Sequence, residues 1–112
     1  MIKIRRGDIQ YFTFKRKNEN GETITTIPTN IYFSVKESYN SRYPIIQKTL
    51  NDMTMDVDGT YHFRILPSDT NKLKYGNYVY DLEVYDEDNY VKTISIGEFR
   101  IIEEVTFNSN EV

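Results

Sequence analysis

Residues 61–85 read YHFRILPSDTNKLKYGNYVYDLEVY, and the fold is decided there. Tyr61, Phe63 and Ile65 alternate with His62 and Arg64, the period of two expected of a strand with one buried face. Further on, Tyr78, Tyr80, Leu82 and Val84 share a face, and Asp81 and Glu83 stand on the other, so this strand too has a dry side and a wet side. Between the two, Pro67 stops the first strand, Ser68 and Asp69 offer side-chain oxygens to cap a short helical or 3₁₀ turn, and Leu73 supplies an apolar plug. Gly76 then permits a sharp entry into the second strand.

An acidic cap, a buried aliphatic and a Gly-x-Tyr entry are similar to the corner by which immunoglobulin-like sandwiches pass the chain from one sheet to the other. Asp69, Leu73, Gly76 and Tyr78 are therefore read as a structural corner. Working outward, residues 2–6 alternate as a first strand with Ile2 and Ile4 on one face, and Gly7-Asp8 turns the chain. A second strand over about 10–16 points Phe12 and Phe14 inward, and the turn at Asn18-Glu19-Asn20-Gly21 is expected to close a hairpin onto 22–26. Ile31, Phe33 and Val35 mark a strand over 31–36; 37–44 reads as a loop, and 45–49 and 53–55 as short strands.

After the turn at residues 86–89, the last strand runs from 90 to about 103. Its pattern changes phase: Ile94 and Ile96 share a face, then Phe99 and Ile101 do. A bulge or a change of sheet at Gly97 is expected to resolve this. Seven to nine short strands with turn signals and no long helix predict an all-β, immunoglobulin-like antiparallel β-sandwich, a small barrel being the alternative. One domain over 1–105 is expected, with a polar tail, 106–112, that frays.

The 112 residues suffice for one hydrophobic core. Without cysteine, disulfides, thiolate metal sites and cysteine nucleophiles are excluded. Residues 1–8 lack an apolar run of signal-peptide length, so Sec export is not expected, and no segment approaches the roughly 20 apolar residues of a membrane helix. His62 is the single histidine and reads as an exposed-face residue rather than a base or ligand. Asp86-Glu87-Asp88 is too small a set for calcium and reads as a solvated turn. Ser41, Ser68 and Ser95 lack a nucleophile's surroundings. No enzyme activity, metal or cofactor is expected.

Cations and aromatics mix near the beginning, as in single-strand nucleic-acid binders, but Phe12 and Phe14 alternate as core residues do and the pI is about 5.1. Neither nucleic acid nor membrane is expected as a partner. The ten tyrosines are more informative, because Tyr and Arg are enriched in protein interfaces. Tyr39, Arg42, Tyr43, Tyr85 and Tyr90 are the candidate protein interface. Charge is uneven: Lys3, Arg5, Arg6, Lys15, Arg16 and Lys17 crowd the start, and Asp86, Glu87, Asp88, Glu98, Glu103 and Glu104 the end. On separate surfaces these would favour head-to-tail association; on neighbouring strands they would neutralise one another.

Arg6-Gly7-Asp8, Asp58-Gly59-Thr60-Tyr61, Leu66-Pro67-Ser68-Asp69-Thr70, the run from Leu73 to Val84, and Gly97-Glu98-Phe99 together carry a family resemblance. The chain resembles the small immunoglobulin-like structural proteins of tailed phages and prophages of Gram-positive bacteria, including the N-terminal domain of baseplate upper proteins. That resemblance implies a non-enzymatic tail, baseplate, neck or head accessory module, located in the virion after synthesis in the host cytoplasm. Its partners would be other virion proteins, or copies of itself in an oligomer. A small phage-encoded inhibitor that blocks a host protein is the alternative.

Overall fold

The computed structural model describes residues 1–87 and 91–103. Eight strands lie among them: β1 (Ile2–Arg5), β2 (Gln10–Lys15), β3 (Asn30–Lys36), β4 (Ile46–Thr49), β5 (Thr54–Met55), β6 (Thr60–Ile65), β7 (Gly76–Tyr85) and β8 (Val91–Ile102). A 3₁₀ turn, Leu50–Asp52, and a helical turn, α1 (Pro67–Thr70), lie between them. A five-stranded sheet in the order β1-β8-β7-β3-β4 faces a three-stranded sheet in the order β2-β6-β5. This is an all-β domain of sandwich-like, curled sheets, mostly antiparallel.

The alternation of apolar residues places the core between the sheets. Ile31, Phe33, Val35, Leu82, Val84, Phe99 and Ile101 come from the large sheet, and Tyr61, Phe63 and Ile65 from the small one; all are buried. Phe12, Phe14 and Ile94 are only partly buried and pack against this cluster. In register on β2 and β6, Phe12 stacks on Phe63 at 5.2 Å and Phe14 on Tyr61 at 5.0 Å. Phe33 then bridges the sheets, 5.0 Å from Phe63, 5.8 Å from Phe12 and 5.7 Å from Tyr80.

The chain changes sheets at the stretch that opened the sequence reading. The Asp69 carboxylate accepts from the Leu66 amide at 2.7 Å and pairs with Lys48 at 2.8 Å, fixing α1 at its start. Leu73 packs on the core. Gly76 has φ +149°, a value that a side chain disfavours. Tyr78 Oη donates to the Lys74 carbonyl at 2.6 Å, closing the entry to β7. Burial, with Glu37 nearby, raises the Tyr78 phenol above its ordinary value. Buried Thr70 accepts from the Gly7 amide at 3.0 Å, and Arg6 stacks over Tyr75 at 4.3 Å, so the β1–β2 turn is clamped to the same corner.

Three expectations are corrected. The sandwich is not wholly antiparallel: β1 pairs parallel with β8, Ile2 beside Phe99 and Arg5 beside Ile102. After β1 the chain leaves for the small sheet at Gly7, so β1 and β8 run the same way. The phase change in β8 does not occur at Gly97. Leu82 pairs with Ser95 and Glu83 with Thr93, leaving Ile94 as the extra residue of a bulge. Ile94 thereby turns toward the core and Ile96 outward, 60% exposed. Gly97 has another cause, since a Cβ there would lie 3.2 Å from the Tyr80 ring. Finally, the hairpin after Asn18 closes with positive-φ Gly21 but pairs only at the single bridge between Lys17 and Thr23. The tail 106–112 lies outside the described residues.

Candidate functional site

Period two in β3 and β7 sends Tyr32, Ser34 and Lys36 to the outer face of the large sheet, together with Asp81, Glu83 and Tyr85. Register then makes neighbours of them: Tyr32 lies beside Glu83, Ser34 beside Asp81 and Gln47. Because Ser34 is small and 6% exposed, it forms the floor of a groove of about 310 Å³. Tyr32 and Tyr85 meet edge to face at 5.3 Å to make one wall, and Arg42 and Pro44 of the β3–β4 loop make the other. That loop is pinned by a turn in which the Ser41 amide donates to the Ser38 carbonyl at 3.0 Å, and by the Ile45 amide donating to Val35 at 2.7 Å.

The electrostatics of the groove are unsettled. Gln47 donates to Ser34 Oγ at 3.2 Å and Asn30 to Tyr32 Oη at 3.0 Å. Asp81 Oδ1, by contrast, is buried without a hydrogen-bond partner among the described residues. Burial, followed by the nearby Glu83, Tyr32 and Asp81, raises the Tyr85 phenol above its ordinary value. A buried oxygen without a partner costs desolvation that nothing in the fold returns. The arrangement suits a partner that brings donors to these carboxylates and flat surface to these rings.

Of the residues singled out in the sequence, Arg42 and Tyr85 come together in this groove. Tyr39 and Tyr43 sit on the same loop, 56% and 75% exposed, and Tyr39 Oη reaches across to the Gly97 carbonyl at 3.2 Å. Tyr90 lies outside the described residues. Asp69, Leu73, Gly76 and Tyr78 are at the corner, away from the groove. The sequence reading set Asp81 and Glu83 on the wet face of their strand but did not single them out as site residues, nor Tyr32, Ser34 or Gln47. A small residue between two aromatic or long ones on the wet side of a strand, as Ser34 stands between Tyr32 and Lys36, is the signal that could have found the floor.

His62 faces outward on β6 and shares a 2.7 Å hydrogen bond with Asp56. Among the described residues, no three or more His, Asp or Glu side chains are grouped to hold a metal ion, and no helix is long and apolar enough to cross a membrane. The terminal charges are dispersed: Arg16, 6% exposed, donates through Nη2 to both Asp86 oxygens at 2.9 Å and through Nη1 to the Thr26 carbonyl at 3.0 Å, and Lys3 lies beside Arg100 on the joined strands β1 and β8. No protein-family model and no curated protein sequence matches the chain.

Proposed function

We propose that the chain is a non-enzymatic, immunoglobulin-like contact module that takes its place in a tailed-phage particle by binding another protein through the outer face of its large sheet. The observation that carries the contact role is the groove between Tyr32, Tyr85 and Arg42, with the unpartnered Asp81 oxygen at its base. Tyr and Arg around desolvated polar groups are the usual composition of an interface centre.

Three features support the immunoglobulin-like reading. The strand order groups β2, β6 and β5 against β8, β7, β3 and β4, as B, E and D face G, F, C and C′ in variable-type domains. Tyr78 bonds back to Lys74 at the start of β7, as the tyrosine corner does at the start of strand F. Where antibody domains join the sheets by a disulfide packed on a tryptophan, aromatic contacts through Phe12, Phe33 and Tyr80 fill the space. The phage context rests on the motif resemblance described above.

The test is to induce particles from the strain that carries the gene and to band them by density. The protein should co-sediment with particles and be detected in them by mass spectrometry. Its absence from particles, with recovery in a soluble complex with a host protein, would instead favour an inhibitor.

A further inference from the structure

We infer that the open edge of β8 at Val91–Ile96, with the cleft beside it, accepts an extended segment of a partner protein in which apolar residues alternate with carboxylates. This surface is separate from the groove on the outer face of the sheet.

The first observation is an incomplete sheet edge. β8 has β7 along one side for its whole length, but on the other side β1 pairs only with Phe99–Ile102. The Gly97 carbonyl already accepts from Tyr39. Val91–Ile96 therefore has no strand on that side among the described residues. Its sequence, VKTISI, has high β-propensity, no proline and one charge, and Val91 and Ile96 are 42% and 60% exposed. Natural edges are ordinarily blunted by charges, prolines or cover. Lys92 and the bulge at Ile94 are the devices present here, and the bulge sends Ile94 toward the interior.

The second observation is a cleft of about 670 Å³ at that place, between β8 and the turn that follows β2. Ile24, Val84 and Ile94 give it an apolar lining. Four cations, Lys15, Arg16, Lys17 and Lys92, line it against the two carboxylates Glu19 and Asp86. Arg16 and Asp86 neutralise each other and Lys15 leans on Asp58 at 3.6 Å, which leaves Lys17 and Lys92, against the single carboxylate of Glu19, without ion-pair partners among the described residues. A strand laid in line with β1 would put alternate side chains into the cleft, where carboxylates meet Lys17 and Lys92, and the others on the outer face beside exposed Val91 and Ile96, because successive residues point to opposite faces. Main-chain bonds to the edge would supply affinity and the cleft specificity, the mode of strand addition.

The test uses the whole protein and a synthetic heptapeptide, Glu-Val-Glu-Val-Glu-Val-Glu, capped at both ends. By NMR the peptide should protect from exchange those Val91–Ile96 amides that point away from β7, and shift the methyls of Ile24 and Ile94. The double variant Lys17→Glu/Lys92→Glu should bind it about fivefold more weakly for each lysine changed, and should prefer the lysine-valine counterpart. Three results would overturn the inference: no perturbation at millimolar peptide, shifts confined to Tyr32 and Tyr85, or edge amides protected in the free protein. Edge protection that rises with protein concentration alone would assign the edge to a second copy and overturn it equally. Shifts at Tyr32 and Tyr85 would place the peptide in the outer-face groove instead, and the other results leave that groove untouched, so the proposed function would stand or fall separately.

Discussion

The outward faces of the two sheets differ in how their carboxylates are answered. Beside the small sheet, Asp56 meets His62 at 2.7 Å, and Asp58 accepts from the Thr60 amide at 3.0 Å and faces Lys15 at 3.6 Å. The bonds from Thr60, its amide first, with Lys15 adding to them, hold the Asp58 carboxyl below its ordinary value. On the large sheet Asp81 keeps a buried oxygen without a partner, and neither it nor Glu83 forms an ion pair among the described residues. Both faces are polar. Polarity alone therefore does not distinguish them; the proposed contact surface is the face that keeps a carboxylate oxygen buried and unanswered.

The strongest way to disturb the comparison is to remove the residue that holds the two sheets together. Phe33→Ala should cost about 3–5 kcal/mol in urea melts, since the ring is 2% exposed and touches both sheets. A loss below about 1 kcal/mol would mean that the faces are not coupled through it. Next in size is Gly97→Ala, expected to cost about 1–3 kcal/mol because the new methyl meets the Tyr80 ring at 3.2 Å. A wild-type melting midpoint would show that Tyr80 gives way freely.

Tyr78→Phe removes one hydrogen bond from the corner that sets one sheet against the other. It should cost about 1 kcal/mol with the fold retained. The raised phenols of Tyr78 and Tyr85 also fix a sign for alkaline pH. A folded value above the ordinary 10.0 means that their contribution is complete below pH 10.0 and is lost as pH rises through the raised values. Stability should fall above pH 10.0, and Tyr78→Phe with Tyr85→Phe should flatten that fall. An unchanged slope would contradict the burial argument.

The smallest effects sharpen the comparison most. Asp81→Asn should leave stability within about 0.5 kcal/mol or raise it, because it takes a charge from a buried oxygen that lacks a partner. Asp56→Asn, which weakens an answered pair on an exposed surface, should lower stability by up to about 1 kcal/mol. If both variants lose stability equally, the two faces do not differ as described.

Period two in residues 61–65 and 78–84 was enough to place both strands and their buried faces, because burial on one side writes itself into consecutive residues. At the corner, Asp69 meets the Leu66 amide and Tyr78 the Lys74 carbonyl within a few residues, whereas the Lys48 partner of Asp69 and the core under Leu73 lie far off in sequence. What depends on distant partners was not legible. Gly97 announced an irregularity, but its cause is the Tyr80 ring on the neighbouring strand, and the bulge falls at Ile94, whose sequence context is ordinary. The parallel pairing of β1 with β8 left no local mark. In the groove, Arg42 and Tyr85 stood out by residue type, whereas Ser34, Gln47 and Asp81 acquire meaning only when three strands set them side by side.

The central claim, that the outer face of the large sheet is the contact surface, is tested most directly by photo-crosslinking in assembled particles. A benzophenone amino acid placed at Tyr85 or Gln47 should join the protein to one particle component, and the same group at His62 should join it to none. Crosslinks from His62 with silence at Tyr85 and Gln47, in particles that contain the protein, would contradict the account.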